Sequence, residues 1–527
     1  LLLSAGDVAP RREERLTHQG DTMTRKILVV GLFAGLTLIA WSALRAGSLP
    51  TALTDWPQWG RSSLHTSATV VAGQSPQTQL ASATYDPFVS QEKAESGGEL
   101  LAHYQVPLVD NGMVFMEFET GKYVSCDPPG SGQPFPCGPD AWNKKVWNER
   151  AFTWQNGKLT ELWNFRTDWK PEPNTDGNDD GYGLFGWEPV FHAALWNGFV
   201  YVPGAGGTVY KLNESTGMVV AQHNPFGKEI NPHRFVSGPL TIDAAGHVYY
   251  NVIQLDATSP WSSDIHGAWL VRIEPDGSVH FVSYSKLAPA SCNGCGSQRP
   301  GVNVAPAISA DGKTIYTAST AHFDALDSYM LAVNSDLTPQ WNTSLTVDNG
   351  QIEGALIDLS SASPVVLPDG SIIYGVLGPG TDRGFMLKFS SSGQYLANYD
   401  FGWDDTPAVY THDGTYSIIT KDNHYDTGGP YYITQLSADL GIEWQYKSLD
   451  NFEWCVNAPA VDKNGVVYAD SEDGYVFVIN QGGTLKGKLF LQSAVGAAYT
   501  PISIGRDGKI YTENDGIMFV VGKSAGN

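Results

Sequence analysis

The sequence predicts an all-β protein, an eight-bladed β-propeller of four-stranded antiparallel blades whose ring is closed by an N-terminal strand. Three observations predict it. One pattern recurs along the chain: a Pro, a short apolar stretch, in most copies an Asp-Gly or Asn-Gly turn, and a second apolar stretch that usually holds Tyr. It begins at Pro107, Pro189, Pro239, Pro306, Pro364, Pro407, Pro459 and Pro501. The composition agrees, with 57 Gly, 31 Pro and 12% aromatic residues against 17% charged, as expected of many short strands joined by tight turns. Helical periodicity is absent beyond one apolar run near the N-terminus.

In chain order, Leu1–Thr22 reads as upstream read-through and Met23 as the start. Thr24-Arg25-Lys26 followed by the apolar run Ile27–Leu44 makes 23–46 a signal peptide, cut after Ser42 or Ala46, or else an uncleaved anchor. Either reading places the body outside the cytoplasm, periplasmic or secreted. The propeller spans 56–523 with an insertion at about 118–188. Asn-Gly and Asp-Gly supply the positive φ values of tight hairpins, so each repeat opens with two antiparallel strands. Two more follow, most legibly in 199–223 and 466–491. The last unit stops after a third strand, Ile517–Val521, and its unpaired edge needs a cover. Gln77–Tyr85 is the natural donor of the fourth strand.

The net charge is −23, and residues 1–55 are nearly neutral, so the body carries the deficit. Such a field repels phosphate backbones and anionic lipid, which excludes nucleic acid and leaves a membrane reachable only through an uncleaved N-terminal segment. An envelope or extracellular protein, or a polar small ligand, remains as partner. Cys126 and Cys137 flank a Pro/Gly-rich loop that a disulfide would pin, and Cys292 and Cys295 would close a second, short ring. Cys455 is left over as a small apolar side chain.

The blade at 199–223 and the opening Trp56-Pro-Gln-Trp59-Gly-Arg-Ser-Ser-Leu-His65-Thr66 resemble the pyrroloquinoline-quinone-like, or quinoprotein-type, propeller repeat family. The resemblance covers 56–523. It implies the propeller fold, and it implies either a quinone-dependent dehydrogenase or a propeller without cofactor, since the family holds both. Tyr210-Lys-Leu-Asn213 and Phe477-Val-Ile-Asn480 stand where the family has Ala-x-Asp, and its docking Trp survives at Trp163, Trp341 and Trp444.

Ligands of a propeller bind where inner strands and their entry loops face the axis. The residues just before each repeat Pro are polar there: Glu188, Arg234, Arg299, Asn303, Glu353, Asp405, Glu453 and Asn457. Carboxylates, amides and two arginines around one mouth suit a polar ligand or an ion. Asp176, Asn178 and Asp180, followed by Gly181, match the first half of a calcium loop, although Trp187 holds the twelfth position. Calcium is thus the candidate cofactor. A dehydrogenase of the resembling family would need Ca²⁺ held by Glu and Asn, an Asp base, an Arg near the quinone and an aromatic floor. No spacing here matches that set, no vicinal Cys pair or haem motif occurs, and the dispersed histidines give no zinc motif. The expectation is therefore an exported non-catalytic binding or scaffold propeller without quinone; the alternative is a quinone- and calcium-dependent dehydrogenase acting on an alcohol or sugar.

Overall fold

The computed structural model describes residues 55–523 apart from 96–97, 99, 101, 103, 124–143, 172–188, 358–361, 379–382, 403–404, 425–426, 455–456 and 494–499. The signal segment, Cys126, Cys137, the Asp176/Asn178/Asp180 loop, Glu188 and Cys455 lie outside the described residues.

Among the described residues the strands form eight blades, each an antiparallel sheet of at least four strands, with one small ribbon beside them. The innermost strands of blades 1 and 2 are Leu108–Asp110 and Ala194–Trp196. Blades 3 and 4 have theirs in two pieces, Arg234–Val236 with Thr241–Ile242 and Gln298–Pro300 with Ala307–Ile308. Those of blades 5 to 8 are Val365–Val366, Ala408–His412, Ala460–Val461 and Ser503–Ile504. Apart from the first pieces in blades 3 and 4, each lies shortly after a repeat proline, so the recurring pattern marks the axis. The split has a local cause. The second strands of blades 3 and 4, Val248–Gln254 and Thr314–Ala321, extend far enough to pair with Arg234 and Arg299, which places both arginines in strands rather than entry loops.

Blade 2 shows the unit in full: Ala194–Trp196, Phe199–Pro203, Val209–Asn213 and Val219–His223 in that order. Its first hairpin turns at Asn197-Gly198, φ +51° and +78°, the left-handed pair that a short hairpin needs. Much of the stretch expected as an insertion is blade 1 itself, whose strands Met113–Gly121, Lys145–Gln155 and Lys158–Arg166 run through it.

Thr78–Thr84 pairs antiparallel with Ile517–Gly522 and completes blade 8. The ring is thus closed by the N-terminal strand, as the unpaired edge requires. Blades are also stapled in pairs. Trp163 on the outer strand of blade 1 donates its indole N–H to Glu214 O in a turn of blade 2, 2.8 Å, and Trp341 of blade 4 donates to Ser391 O of blade 5, 3.0 Å. Trp444 of blade 6 lies against the Gly483 turn of blade 7.

The segment ahead of that strand closes one end of the axis. Residues 55–74 visit the turn end of the inner strands in blade order: Trp56 exchanges two 2.9 Å backbone bonds with Val109, Pro57 O accepts from Leu195 N, and the Gln58 amide bonds Ile242 N and O at 2.6 and 3.0 Å. Ser63 O, Leu64 O and Thr66 O then accept from Ile308, Val366 and Val409, Ser67 and Thr69 pair with Val461, and Gln74 N reaches Gly508 O. His65 bridges blade 5 to blade 3 through Pro364 O, 2.8 Å, and Thr241 Oγ1, 3.2 Å. Trp56, Trp59 and His65 are buried. Among the described residues this segment covers the turn end of the axis.

Candidate functional site

At the opposite end the entry segments are laced into a ring by side chains that accept backbone N–H groups. Gln105 Oε1 takes Ala193 N at 2.8 Å, Asn303 Oδ1 takes Val190 N at 2.9 Å, and Asn303 N donates to Ser237 O at 2.6 Å. Ser363 Oγ takes Ala305 N, Thr406 Oγ1 takes Ser363 N, and Asn457 Oδ1 takes Thr406 N, all at 2.9 to 3.0 Å. Ile502 N to Ala458 O and Ser503 Oγ to Pro107 O complete the circle. Buried polar groups need such partners, so the amides and hydroxyls before five of the eight repeat prolines fix the blades' mutual register.

The sequence-expected site residues separate into two groups. Asn303 and Asn457 are members of this ring and Asp405 adjoins its member Thr406; all three are buried, with Arg299 buried in the strand leading to Asn303. Asp405 Oδ2 accepts from Thr420 Oγ1, 2.8 Å, and from Lys421 N, 3.2 Å. Arg299 donates from Nε to His322 Nδ1 at 3.0 Å and lies over the Trp261 ring, which stacks on His322. The others stand apart. Arg234 is half-buried against Phe226 and Trp269 and bonded to Gln254, Glu353 is exposed on the Thr346–Val347/Ile352–Glu353 ribbon, and Glu453 is partly exposed.

Several buried polar groups escape the sequence reading. Glu149 in the third strand of blade 1 is fully buried, and its Oε1 accepts from Gln105 Nε2 at 3.0 Å. Burial pushes its carboxyl up to about 8. His192, beside the backbone N–H that Gln105 holds, is pushed down to about 3, by burial first and then by His65. Glu149 Oε2 and His192 Nε2 have no hydrogen-bond partner among the described residues. Lys421 and Trp454 are buried on blade 6 and at the entry to blade 7, with Trp454 O accepting from Asn423 Nδ2. Glu117 interrupts an apolar second strand, and Asp470 and Glu513 lie at or next to the end of theirs.

The ring and its surroundings thus offer a buried guanidinium, a buried ammonium, two carboxylates, three amides and two indoles. The set suits in kind a planar polyanion with a hard cation: carbonyl and carboxylate oxygens for the metal, Arg and Lys for the negative groups, aromatic faces for the rings. The His192 ring packs edge-on against Trp59 of the covering segment, with centroids 5.7 Å apart.

Cys292 and Cys295 are joined by a disulfide. No helix among the described residues is long and apolar enough to cross a membrane.

Neither a family model nor a curated protein matches the sequence. Among solved structures the chain is similar to a europium-containing methanol dehydrogenase, with TM-score 0.54 and 11% identity over 88% of this chain and 90% of that one. It is also similar to the quinohemoprotein alcohol dehydrogenase of Comamonas testosteroni, TM-score 0.49 and 13% identity over 89% and 81%. The quinohemoprotein alcohol dehydrogenase ADHIIG of Pseudomonas putida HK5 gives 0.48 and 11% over 90% and 76%. The first of these corrects two expectations, the non-catalytic scaffold and the absence of pyrroloquinoline quinone: the solved structure with a TM-score above 0.5 is a dehydrogenase, which favours the alternative. The site is assembled from separate blades, so a linear motif search had nothing contiguous to match. The fold is that of the quinoprotein-type eight-bladed propeller.

Proposed function

We propose that the chain is an exported quinoprotein-type oxidoreductase, which binds pyrroloquinoline quinone with a hard multivalent cation at the ring-bearing end of its axis and oxidises an alcohol or sugar. The observation that carries the reading is the buried ring that holds Asn303 and Asn457, with Asp405, Arg299, Lys421 and Glu149 beside it, on a body plugged at its other end. Bound quinone would supply the two-electron acceptor, and the cation would polarise it. Arg299 and Lys421 would hold its anionic edge, and Asn303, Asp405 and Asn457 would offer oxygens to the cation. Trp261 and Trp454 exclude water. Glu149, whose carboxyl burial raises to about 8, would have to ionise before taking the proton of the substrate hydroxyl, so turnover should rise with pH through that value. Export is supported by the signal-like segment and by the Cys292–Cys295 disulfide, which suits an oxidising compartment.

The test is reconstitution. The exported protein is mixed with pyrroloquinoline quinone and either Ca²⁺ or a lanthanide, desalted, and assayed for retained quinone absorbance and for dye reduction with methanol, longer alcohols and sugars. One quinone per chain and turnover are expected. Glu149→Gln should keep the quinone and lose turnover by about 10²-fold or more. Quinone that passes through the column with either cation would sink the reading.

A further inference from the structure

Away from the axis, Cys292-Asn-Gly-Cys295 forms a tight loop between blade 3 and blade 4, with Cys295 N donating to Cys292 O at 3.1 Å. Cys292 is exposed and Cys295 is buried. A third group reaches both sulfurs. Asp324 begins a strand of blade 4, and its Oδ2 lies 3.4 Å from Cys295 Sγ and 3.8 Å from Cys292 Sγ. That carboxylate is held in place from two sides. Its other oxygen accepts Leu326 N at 3.0 Å, while Phe323 N donates to Cys295 O at 2.8 Å and His322 N to Ser297 O at 3.1 Å, tying the hairpin to the cysteine loop.

Electrostatics decides what such a trio is for. Two more carboxylates hold the loop: Asp327 Oδ2 accepts Cys292 N at 2.9 Å, and Asp264 accepts Ser297 N and Oγ at 2.8 Å. Thiols that act as nucleophiles sit in electropositive surroundings that favour the thiolate. Here the neighbours are anionic, which works against a free thiolate and favours a bound cation that neutralises sulfur and carboxylate together. The two sulfurs and the Asp324 oxygen already lie within 4.8 Å of one another, close enough for one ion to span.

We propose that reduction of the Cys292–Cys295 disulfide opens a site for one thiophilic divalent cation of the zinc class, held by both sulfurs and Asp324 with water in the fourth position. A thiol reductant passes two electrons into the S–S bond, breaks it to two S–H groups and becomes a disulfide itself. Metal binding replaces both S–H bonds with metal–sulfur bonds and releases two protons to water. A small-molecule disulfide reverses the sequence: it takes the two electrons and two protons and leaves as two thiols, while the S–S bond re-forms and the ion is expelled. The site is independent of the quinone reading, since no residue of the axial ring takes part.

Cobalt(II) alone is the probe, because its sulfur ligation gives a charge-transfer band in the near ultraviolet. The full exported chain is reduced with a phosphine, which leaves as its oxide, desalted without oxygen, and titrated with cobalt and then zinc. One cobalt per chain with that band, displaced by zinc and absent from the oxidised protein, is expected. Cys292→Ser should remove the band. Asp324→Asn, which keeps an acceptor for Leu326 N–H, should weaken cobalt binding on the order of tenfold or more with an unchanged melting temperature. Retention of the band at full stoichiometry in Cys292→Ser would assign the metal to other cysteines and overturn the proposal, as would a reduced wild-type chain that holds no cobalt or an Asp324→Asn chain that binds it as tightly as wild type.

Discussion

Glu149 and Asp470 carry the same physics at the scale of single residues. Both are buried, and burial pushes each up to about 8. A carboxyl whose folded-state value lies above its unfolded one keeps its proton longer in the folded chain. Its contribution to stability is complete below the unfolded value, near pH 4, and is lost as pH rises through about 8. Thermal melts across that window should therefore show a falling midpoint with rising pH, shallower in Glu149→Gln and in Asp470→Asn. Slopes unchanged in both variants would contradict protonated carboxyls at these positions. Gln at 149 still offers an oxygen to Gln105 Nε2, so the comparison removes the proton equilibrium and keeps the hydrogen bond.

Elements were legible in the sequence where one residue sets a backbone angle or completes an edge. Asn111-Gly112 and Asn197-Gly198 do the first, with φ positive at each residue, and Thr78–Thr84 does the second. The docking indoles were legible too. Trp341 lies over the Gly393 turn so closely that a Cβ there would meet its ring at 2.7 Å, whereas a Cβ on Gly414, also at positive φ, meets nothing within 4 Å. Gly393→Ala should cost about 1–3 kcal/mol more than Gly414→Ala in denaturant unfolding, the difference isolating the ring contact from the common backbone strain. Equal losses would mean that Trp341 contributes no inter-blade packing there. The axial ring was only half legible. The positions of Asn303, Asp405 and Asn457 follow from the repeat, but Gln105, Glu149 and His192 meet across blades 1 and 2, some 40 to 90 residues apart, and no local spacing encodes such a meeting.

For the whole molecule the decisive feature is residues 55–74, which have neither strand nor helix periodicity and are nonetheless ordered by bonds to every blade in turn. Each such bond contributes about 0.5–1.5 kcal/mol net, and burying an aromatic side chain such as Trp56 or Trp59 adds about 1.5–3 kcal/mol. These terms act on the closed ring as a unit, because each blade is held to the plug as well as to its neighbours. An exported chain that begins at Ser75 keeps Thr78–Thr84 and so retains all four strands of blade 8. It should still form the eight sheets, yet melt at a lower temperature and with a broader transition, since the inner strands lose their common partner and unfold with less coupling. A synthetic peptide of residues 55–74 added in trans should restore both the midpoint and the sharpness in a concentration-dependent way. If the shortened chain melts as the full one does, the strand contacts between blades alone hold the ring. The plug would then serve only to close that end of the axis, and the peptide would have nothing to restore.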